Sequence, residues 1–434
     1  MDSALFDLPN LRHLNGLAAV VQTRHLSAAA ARVGLSQPAL TQAVAAIEAR
    51  AGTQLFDRAG GGIAPLEPAL LLAARVNGAL AQLRRALEGV GARPHLAPLL
   101  SLAHLRGFIA AVDHEGLRGG ARALGCSLST VSRSCRDLEG MLGVRLLERT
   151  SAGLRPTRAA NEFARLARLA LVEIHQGFED VALWRGEASG RLGIGCLPLA
   201  QGGLLPRALA RFAAEYPRVS VRVVDGYYRT LAHELRHGGI DLILGALRGA
   251  DLPPDLVQER LFDDPLAVVA RAGHPLAGRQ GLTLGDLARH GWVMPRAGAP
   301  SRCYFERLMA QSPACALAPV ETGAPSVLRG LLRASDRVAL VSQSQVIEEL
   351  EQGILVRLDL PLPGSARAIG IATRAGWRPG QPQARFLAIL RELAAEHGEG
   401  AGDADRLHRF RRGGGGLRRG VGPALRPAGQ PAGL

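Results

Sequence analysis

Lysine is missing altogether from the 434 residues, so all 52 cations are arginine, set against 38 Asp and Glu. The resulting net charge of +14 makes a polyanionic partner worth locating, because guanidinium forks pair bidentately with phosphate and with guanine edges. All-arginine usage also follows from GC-rich codons, so where the charge sits matters more than its sum. Cysteine is scarce. The five present (Cys126, Cys135, Cys196, Cys303 and Cys315) make no C-x-x-C pair and have no histidine at ligand spacing, which supports neither a zinc knuckle nor a disulfide scaffold and suggests a reducing compartment. No run of about 18 apolar residues occurs, and the first residues start acidic without a secretory core. The expectation is a cytoplasmic protein with no membrane contact. Also missing are G-x-S-x-G, H-E-x-x-H and P-loop patterns, so neither an enzyme nor a metal or cofactor is expected. His274 in GHPLA and His290 read as surface or capping residues rather than bases.

What is present is a repeat. Residues 11–58 align without a gap on residues 102–149, an offset of 91, with 14 of 48 positions identical, among them Gly16/Gly107, Gly34/Gly125, Ser36/Ser127, Glu48/Glu139 and Arg58/Arg149. Each copy shows three short apolar runs at helical spacing. Between the second and third runs lies a four-residue turn, Val33–Ser36 or Leu124–Ser127, in which glycine can take the left-handed conformation and serine can cap the next helix. That is the pattern of a helix-turn-helix, and the segment from Gly143 through Arg149 to Arg155 and Pro156 reads as a two-stranded wing. If the helix after the turn enters the major groove, the second copy offers DNA Ser127, Ser129, Thr130, Ser132, Arg133 and Arg136, with Arg149 and Arg155 on the wing. A plain trihelical bundle or a protein-binding module is the blander reading. The first copy has Ser36, Gln37, Pro38, Thr41 and Gln42 on the same surface and an uncharged Ala59–Gly62 in place of the charged wing, so the second copy is expected to carry most of the phosphate binding.

An apolar stripe follows each copy: Leu72, Val76, Leu80, Leu83 and Leu87, then Phe163, Leu166, Ala170, Ile174, Phe178 and Val181. Such a stripe is either a dimer seam or packs on its own chain. From Ser189 the period changes to β-branched runs (RLGIGCL, VSVRVVDG, DLILGAL, LAVVARA) alternating with helical stretches, which predicts a parallel-stranded α/β domain of two lobes around a cleft. The Cys303/Cys315 pair, 12 residues apart, is a thiol-sensor candidate, although two inert thiols are the plainer reading.

The run LRGFIAAVDHEGLRGGARALGCSLSTVSRSCRDLEGMLGVRLLERTSAGLRPT closely resembles the winged helix-turn-helix of LysR-type transcriptional regulators, and LGIGCLPLAQGGLLPRALARFAAEYPRVSVRVVDG with GGIDLILGAL resembles their effector domain. The resemblance implies an α/β multidomain chain: two tandem winged helix-turn-helix units, a linker helix and a two-lobed, type-2 periplasmic-binding-protein-like effector domain. The expected divisions are a degenerate copy at 8–66, helix and linker at 67–98, the main DNA-binding copy at 99–156 and a linker or dimerisation helix at 157–186. The effector domain is expected at 189–396 (lobe I 189–267 and 368–396, lobe II 268–367), and a disordered tail at 397–434. The resemblance further implies a dimer or tetramer bound to promoter DNA, an action through RNA polymerase, and a small effector in the cleft, here a sugar or an organic or aromatic acid. Ser132 and Arg133 match the family's recognition-helix pair. Cleft contacts carry over to Leu197, Pro198, Leu199, Tyr228, Thr230, Ala246, Arg296, Ser301, Arg302, Glu321 and Thr322. A redox-sensing regulator and a binding protein without DNA targets are the alternatives.

The charge divides as +6 over residues 1–185, +4 over 186–398 and +4 over 399–434. Residues 101–170 alone hold 11 Arg against 6 acids, an excess of 5, so the more basic head is the second.

Overall fold

The computed structural model describes residues 6–58, 62–151, 153–187, 190–249, 251–311 and 317–412. Its amino-terminal half repeats one motif. The first unit is α1 (Leu11–Thr23), α2 (Leu26–Val33), α3 (Gln37–Ala51), a short wing of β1 (Phe56–Asp57) and β2 (Ala64–Pro65), and the long α4 (Glu67–Gly89). A 3-10 turn at Pro94–Leu99 leads to the second: α5 (Leu102–Asp113), α6 (Leu117–Leu124), α7 (Leu128–Leu142), the wing β3 (Leu147–Thr150) and β4 (Gly153–Pro156), and α8 (Arg158–Trp184).

The two units fold alike because the repeat preserves the residues that force each turn. Gly34 and Gly125 sit at φ +67° and +62°, where a side chain is strained, and end α2 and α6. Ser36 and Ser127 then accept hydrogen bonds from the backbone of Ala39 and Thr130 and open the next helix. A Cβ on Gly16 would stand 2.5 Å from Leu40 Cδ1, and one on Gly107 2.6 Å from Ser134 Cβ, so glycine lets the first helix of each unit approach the third. Equivalent positions fill the cores: Leu14, Leu17, Leu40, Val44 and Ile47 in one, Leu105, Phe108, Val131, Cys135 and Leu138 in the other, all buried. Each such side chain contributes on the order of 1.5–3 kcal/mol of burial. The long helices α4 and α8 pack along each other, and both units share one continuous core. Of the two readings of the stripe on α4, the structure shows packing on its own chain.

The remainder comprises β5 (Gly190–Cys196), α9 (Leu204–Glu215), β6 (Val219–Asp225), α10 (Tyr228–Arg236), β7 (Leu242–Ala246), β8 (Leu256–Asp264) and β9 (Leu266–Arg271). It continues through α11 (Leu284–Leu287), β10 (Trp292–Pro295), α12 (Pro300–Met309), β11 (Val320–Thr322), α13 (Pro325–Ala334), β12 (Val338–Ser342) and α14 (Ile347–Glu351), and ends with β13 (Leu355–Arg357), β14 (Arg367–Arg374) and α15 (Gln381–Arg412). One sheet has the order β6-β5-β7-β14-β8 and the other β11-β10-β12-β9-β13.

The parallel-stranded expectation is corrected to mixed sheets. Three neighbouring strands in each run parallel, but β14 and β8, and likewise β9 and β13, are antiparallel to their neighbours. The cause is the two crossings between lobes, β8 to β9 and β13 to β14, which bring the chain back in the opposite sense. LAVVARA, grouped by sequence with the first sheet, is β9 of the second. The segment from 397, expected to be disordered, continues α15 to Arg412. It holds no proline, the residue that would break a helix. Residues 413–434 lie outside the described residues.

Candidate functional site

The second unit presents a basic, hydroxyl-rich helix end. Ser127 Oγ lies 2.8 Å from both Ser129 Oγ and Thr130 Oγ1, so three hydroxyls cluster where α7 begins, and unpaired backbone N–H groups there favour an anion. Ser129, Thr130, Arg133 and Arg136 are exposed, and Ser132 is half-buried. Arg136 Nε donates to the Ser132 carbonyl at 3.4 Å, whereas Arg133 makes no ion pair among the described residues and is free to reach outward. On the wing Arg149 is exposed, while Arg155 is held by Glu115, donating to its carbonyl at 3.1 Å. Glu139 fixes the wing to α7 by accepting from the backbone N–H of Leu146 (2.7 Å) and Leu147 (2.9 Å). Arg118, Arg122 and Arg145 are further exposed cations of this unit that the helix pattern did not single out.

The first unit has the same frame and a different surface. Ser36, Gln37, Pro38 and Gln42 are exposed, and Thr41 donates its hydroxyl to the Gln37 carbonyl at 2.9 Å. Its one wing cation, Arg58, pairs at 3.2 Å with Glu48, the counterpart of Glu139. Residues 59–61 lie outside the described residues.

Between the two sheets is a cleft, partly open to solvent. Leu197, Pro198, Leu199, Tyr228, Ala246, Arg296, Ser301 and Thr322 line it, so eight of the eleven sequence-assigned residues converge there. Thr230 lies exposed on α10, away from the lining. Arg302 and Glu321 are also outside the lining: they pair with each other at 2.8 Å, and Glu321 accepts from Ala297 N–H at 3.1 Å, so they brace a loop that forms the wall. Arg296 spans the cleft, donating to the Gly226 carbonyl at 2.9 Å with its guanidinium 3.7 Å from the Tyr227 ring centre.

Sequence reasoning missed Arg248 and Arg367, which also line the cleft. Arg248 stacks 4.3 Å from the Tyr228 ring centre. Arg367 donates to Ser342 Oγ at 2.6 Å, and the hydroxyls of Ser342 and Ser344 in turn donate to the buried Asp264 carboxylate. Burial pulls both guanidinium pKa values below the ordinary range, and burial also raises that of the Tyr228 phenol. Arg248 Nε, Arg367 Nε and Tyr228 Oη are buried polar atoms with no hydrogen-bond partner among the described residues. Such a wall, short of acceptors, is suited to an anion.

His274 is buried rather than on the surface, and its Nδ1 accepts from Leu276 N–H at 3.1 Å, a turn-closing role. Cys303 is exposed, whereas Cys135 and Cys196 are buried, with thiols pushed up to about 12 chiefly by burial. Cys315 lies outside the described residues. No group of three or more metal-ligating side chains occurs, and no helix is long and apolar enough to cross a membrane, among the described residues.

Comparison with known proteins agrees with this geometry. The model for bacterial regulatory helix-turn-helix proteins of the lysR family matches twice, at residues 11–69 and 102–161, and the model for the LysR substrate binding domain matches residues 185–395. The chain is 35% identical over 392 residues to the HTH-type transcriptional regulator GalR of Pseudomonas putida, covering 90% of this chain and 98% of that one. It is 29% identical over 295 residues to the HTH-type transcriptional regulator PcaQ of Agrobacterium fabrum, covering 68% and 94%. The likeness to GalR is thus longer by about one repeat. Among solved structures, CbnR, a LysR family transcriptional regulator, is 23% identical with a TM-score of 0.39, covering 67% of this chain and all of that one. The chain belongs to the LysR family: it is a DNA-binding transcriptional regulator with an effector-binding domain, and its helix-turn-helix unit matches the family twice.

Proposed function

We propose that this regulator holds promoter DNA chiefly through its second helix-turn-helix and adjusts that binding when a carboxylate, preferably on an aromatic ring, enters the cleft. The observation that carries the ligand class is the convergence on one cavity of Arg248, Arg367 and Tyr228, each with a buried polar atom that has no hydrogen-bond partner among the described residues. Leu197, Leu199, Met294 and Leu340 supply apolar wall beside them, which suits a ring better than a sugar with a hydroxyl on every carbon. Ser127, Ser129, Thr130, Ser132, Arg133, Arg136 and Arg149 form the DNA face, with Arg155 braced behind it. In this reading the ligand is bound and released unchanged. The output passes to RNA polymerase at the promoter, inside the cytoplasm.

The test is a thermal-shift and DNA-anisotropy screen of hydroxylated aromatic acids, aliphatic acids and neutral sugars against the full chain. Aromatic acids are expected to raise Tm and change DNA affinity. A response to sugars alone would overturn the ligand class. No retention of the chain's own upstream DNA would overturn the second unit as its DNA-holding head.

A further inference from the structure

The long helices that follow the two units do more than connect domains. Carried through the offset of 91, α8 begins where α4 does, since position 67 becomes 158. Their buried residues coincide: Ala69 with Ala160, Leu72 with Phe163, Ala73 with Ala164, Val76 with Ala167, Ala79 with Ala170, Leu80 with Leu171, Leu83 with Ile174, and Ala86 with Gly177. One repeated face is therefore used twice, and the two copies of it are pressed together.

The pairing is antiparallel. Glu67 at the start of α4 accepts a hydrogen bond from Trp184 Nε1 at the end of α8 (3.0 Å). Arg75 bonds Asp180 and Glu173, and a Cβ on Gly78 would lie 3.6 Å from Glu173 Oε1. Subtracting 91 from the α8 partner puts these contacts at positions 67 with 93, 75 with 89 and with 82, and 78 with 82, whose midpoints cluster about position 80, where Leu80 and Leu171 stand. The apolar faces thus meet about a pseudo-two-fold axis, as in an interface of two identical subunits, while the polar contacts are made on one side only, Arg75 having Leu166 as its counterpart. Here both halves belong to one chain. The heads sit at opposite ends of the pair, and the first touches the far end of α8: Arg185 Nη1 donates to the Ala51 carbonyl at 2.9 Å, and Arg50 lies 5.4 Å from the Phe178 ring centre.

We infer that the amino-terminal half of a single chain is a complete two-headed DNA-binding unit, in which α4 occupies the face of α8 that a second subunit's linker helix would otherwise cover. Its partner is duplex DNA with two unlike half-sites. One faces Ser132 and Arg133; the other faces Thr41 and Gln42, which have no cation to offer. A 27-residue helix is roughly 40 Å long, near the ~34–36 Å between successive major-groove faces of a duplex. Association of further copies then proceeds through surfaces other than the buried stripe of α8. The inference rests on α7 being the recognition helix, but its structural half does not.

The experiment is a paired disulfide in the full chain, Gly78→Cys with Glu173→Cys, leaving Asp180 to hold Arg75, with each single variant as a control for bridges to native cysteines. After oxidation at dilute concentration, a non-reducing gel is expected to show only single-chain mass. Linked double-mass species, or no bond at all, would overturn the intrachain pairing. Hydroxyl-radical footprinting with the oxidised protein on its upstream DNA is expected to protect two patches about one helical turn apart, the Arg133→Ala variant losing one and Gln42→Ala fading the other. A single patch would overturn the two-headed partner. No protection at all, with the single-chain bond formed, would overturn the reading of α7 and leave the helix pairing standing.

Discussion

Replacing Arg75 by leucine, the residue at the equivalent position of α8 (Leu166), isolates the polar lock between the two long helices. The Arg75 side chain is 9% exposed and meets Asp180 at 2.8 Å, Glu173 at 3.1 Å and the Arg378 carbonyl at 2.8 Å. Burial opposes its charge, but Asp180 and Glu173 outweigh burial and hold its pKa above the ordinary value. Removing the guanidinium leaves two carboxylates, 13% and 14% exposed, on one helix without their hydrogen-bonded cation. Breaking a buried pair from one side costs about 3–5 kcal/mol. Leucine returns about 1 kcal/mol of apolar burial, for a net loss of about 2–4 kcal/mol. With a urea slope of about 2 kcal/mol/M, the unfolding midpoint falls by about 1–2 M. Trp184 fluorescence follows this transition, because its indole is bonded across the pair to Glu67. Adding Glu173→Gln and Asp180→Asn to Arg75→Leu neutralises the stranded charges and is expected to recover at least half the loss. A midpoint shift below about 0.3 M in the single variant, or a triple variant no better than the single, would refute the argument that the lock is electrostatic.

Other expectations follow from the cleft, the DNA face and one histidine. Arg248→Ala is expected to abolish the Tm rise given by an aromatic carboxylate while leaving DNA affinity without ligand unchanged; an undiminished rise would place the ligand elsewhere. In a salt titration of DNA binding, Arg133→Ala should reduce the slope of log K against log salt by about 1, as expected for loss of one phosphate contact, and a parallel slope with lower affinity would assign Arg133 to a base edge instead. His237, half-buried where α10 ends, has its pKa lowered to about 4, first by burial and then by His233, Arg168 and Arg165. Its folded pKa lies below its unfolded value of about 6.5, so the unfolded state takes up the proton first as pH falls. The contribution is full above about 6.5 and is lost towards pH 4, worth about 2 kcal/mol after allowing for solvent. His237→Gln should therefore flatten the change in urea midpoint between pH 7 and pH 5; an unchanged difference would assign it to other groups.

The helix-turn-helix units were legible because each rests on local devices, the left-handed Gly34 and Gly125 and the capping Ser36 and Ser127, that an ungapped repeat displays in one dimension. The partner of α4 was not. An apolar stripe at Leu72, Val76, Leu80, Leu83 and Leu87 looks the same whether it meets its own chain or another, and only the tertiary pairing with Gly177 and Asp180 decides. Strand direction escaped for a related reason: β8 carries Gln258, Glu259 and Arg260 as an edge strand, which masks its place beside β14. Most cleft residues follow strand ends and were found there. Arg248 and Arg367 come from loops and strands far apart in sequence, belong to no motif, and become a site only when β7 and β14 pair.

The measurement that bears most directly on the central claim is an anisotropy titration of labelled upstream DNA with the full chain, Arg133→Ala and Gln42→Ala, at one fixed salt concentration. If the second head holds the DNA, Arg133→Ala weakens binding by about 10- to 100-fold, the range for losing a good arginine contact, and Gln42→Ala by less than about threefold. Equal losses from the two substitutions, or the larger loss from Gln42→Ala, would contradict it.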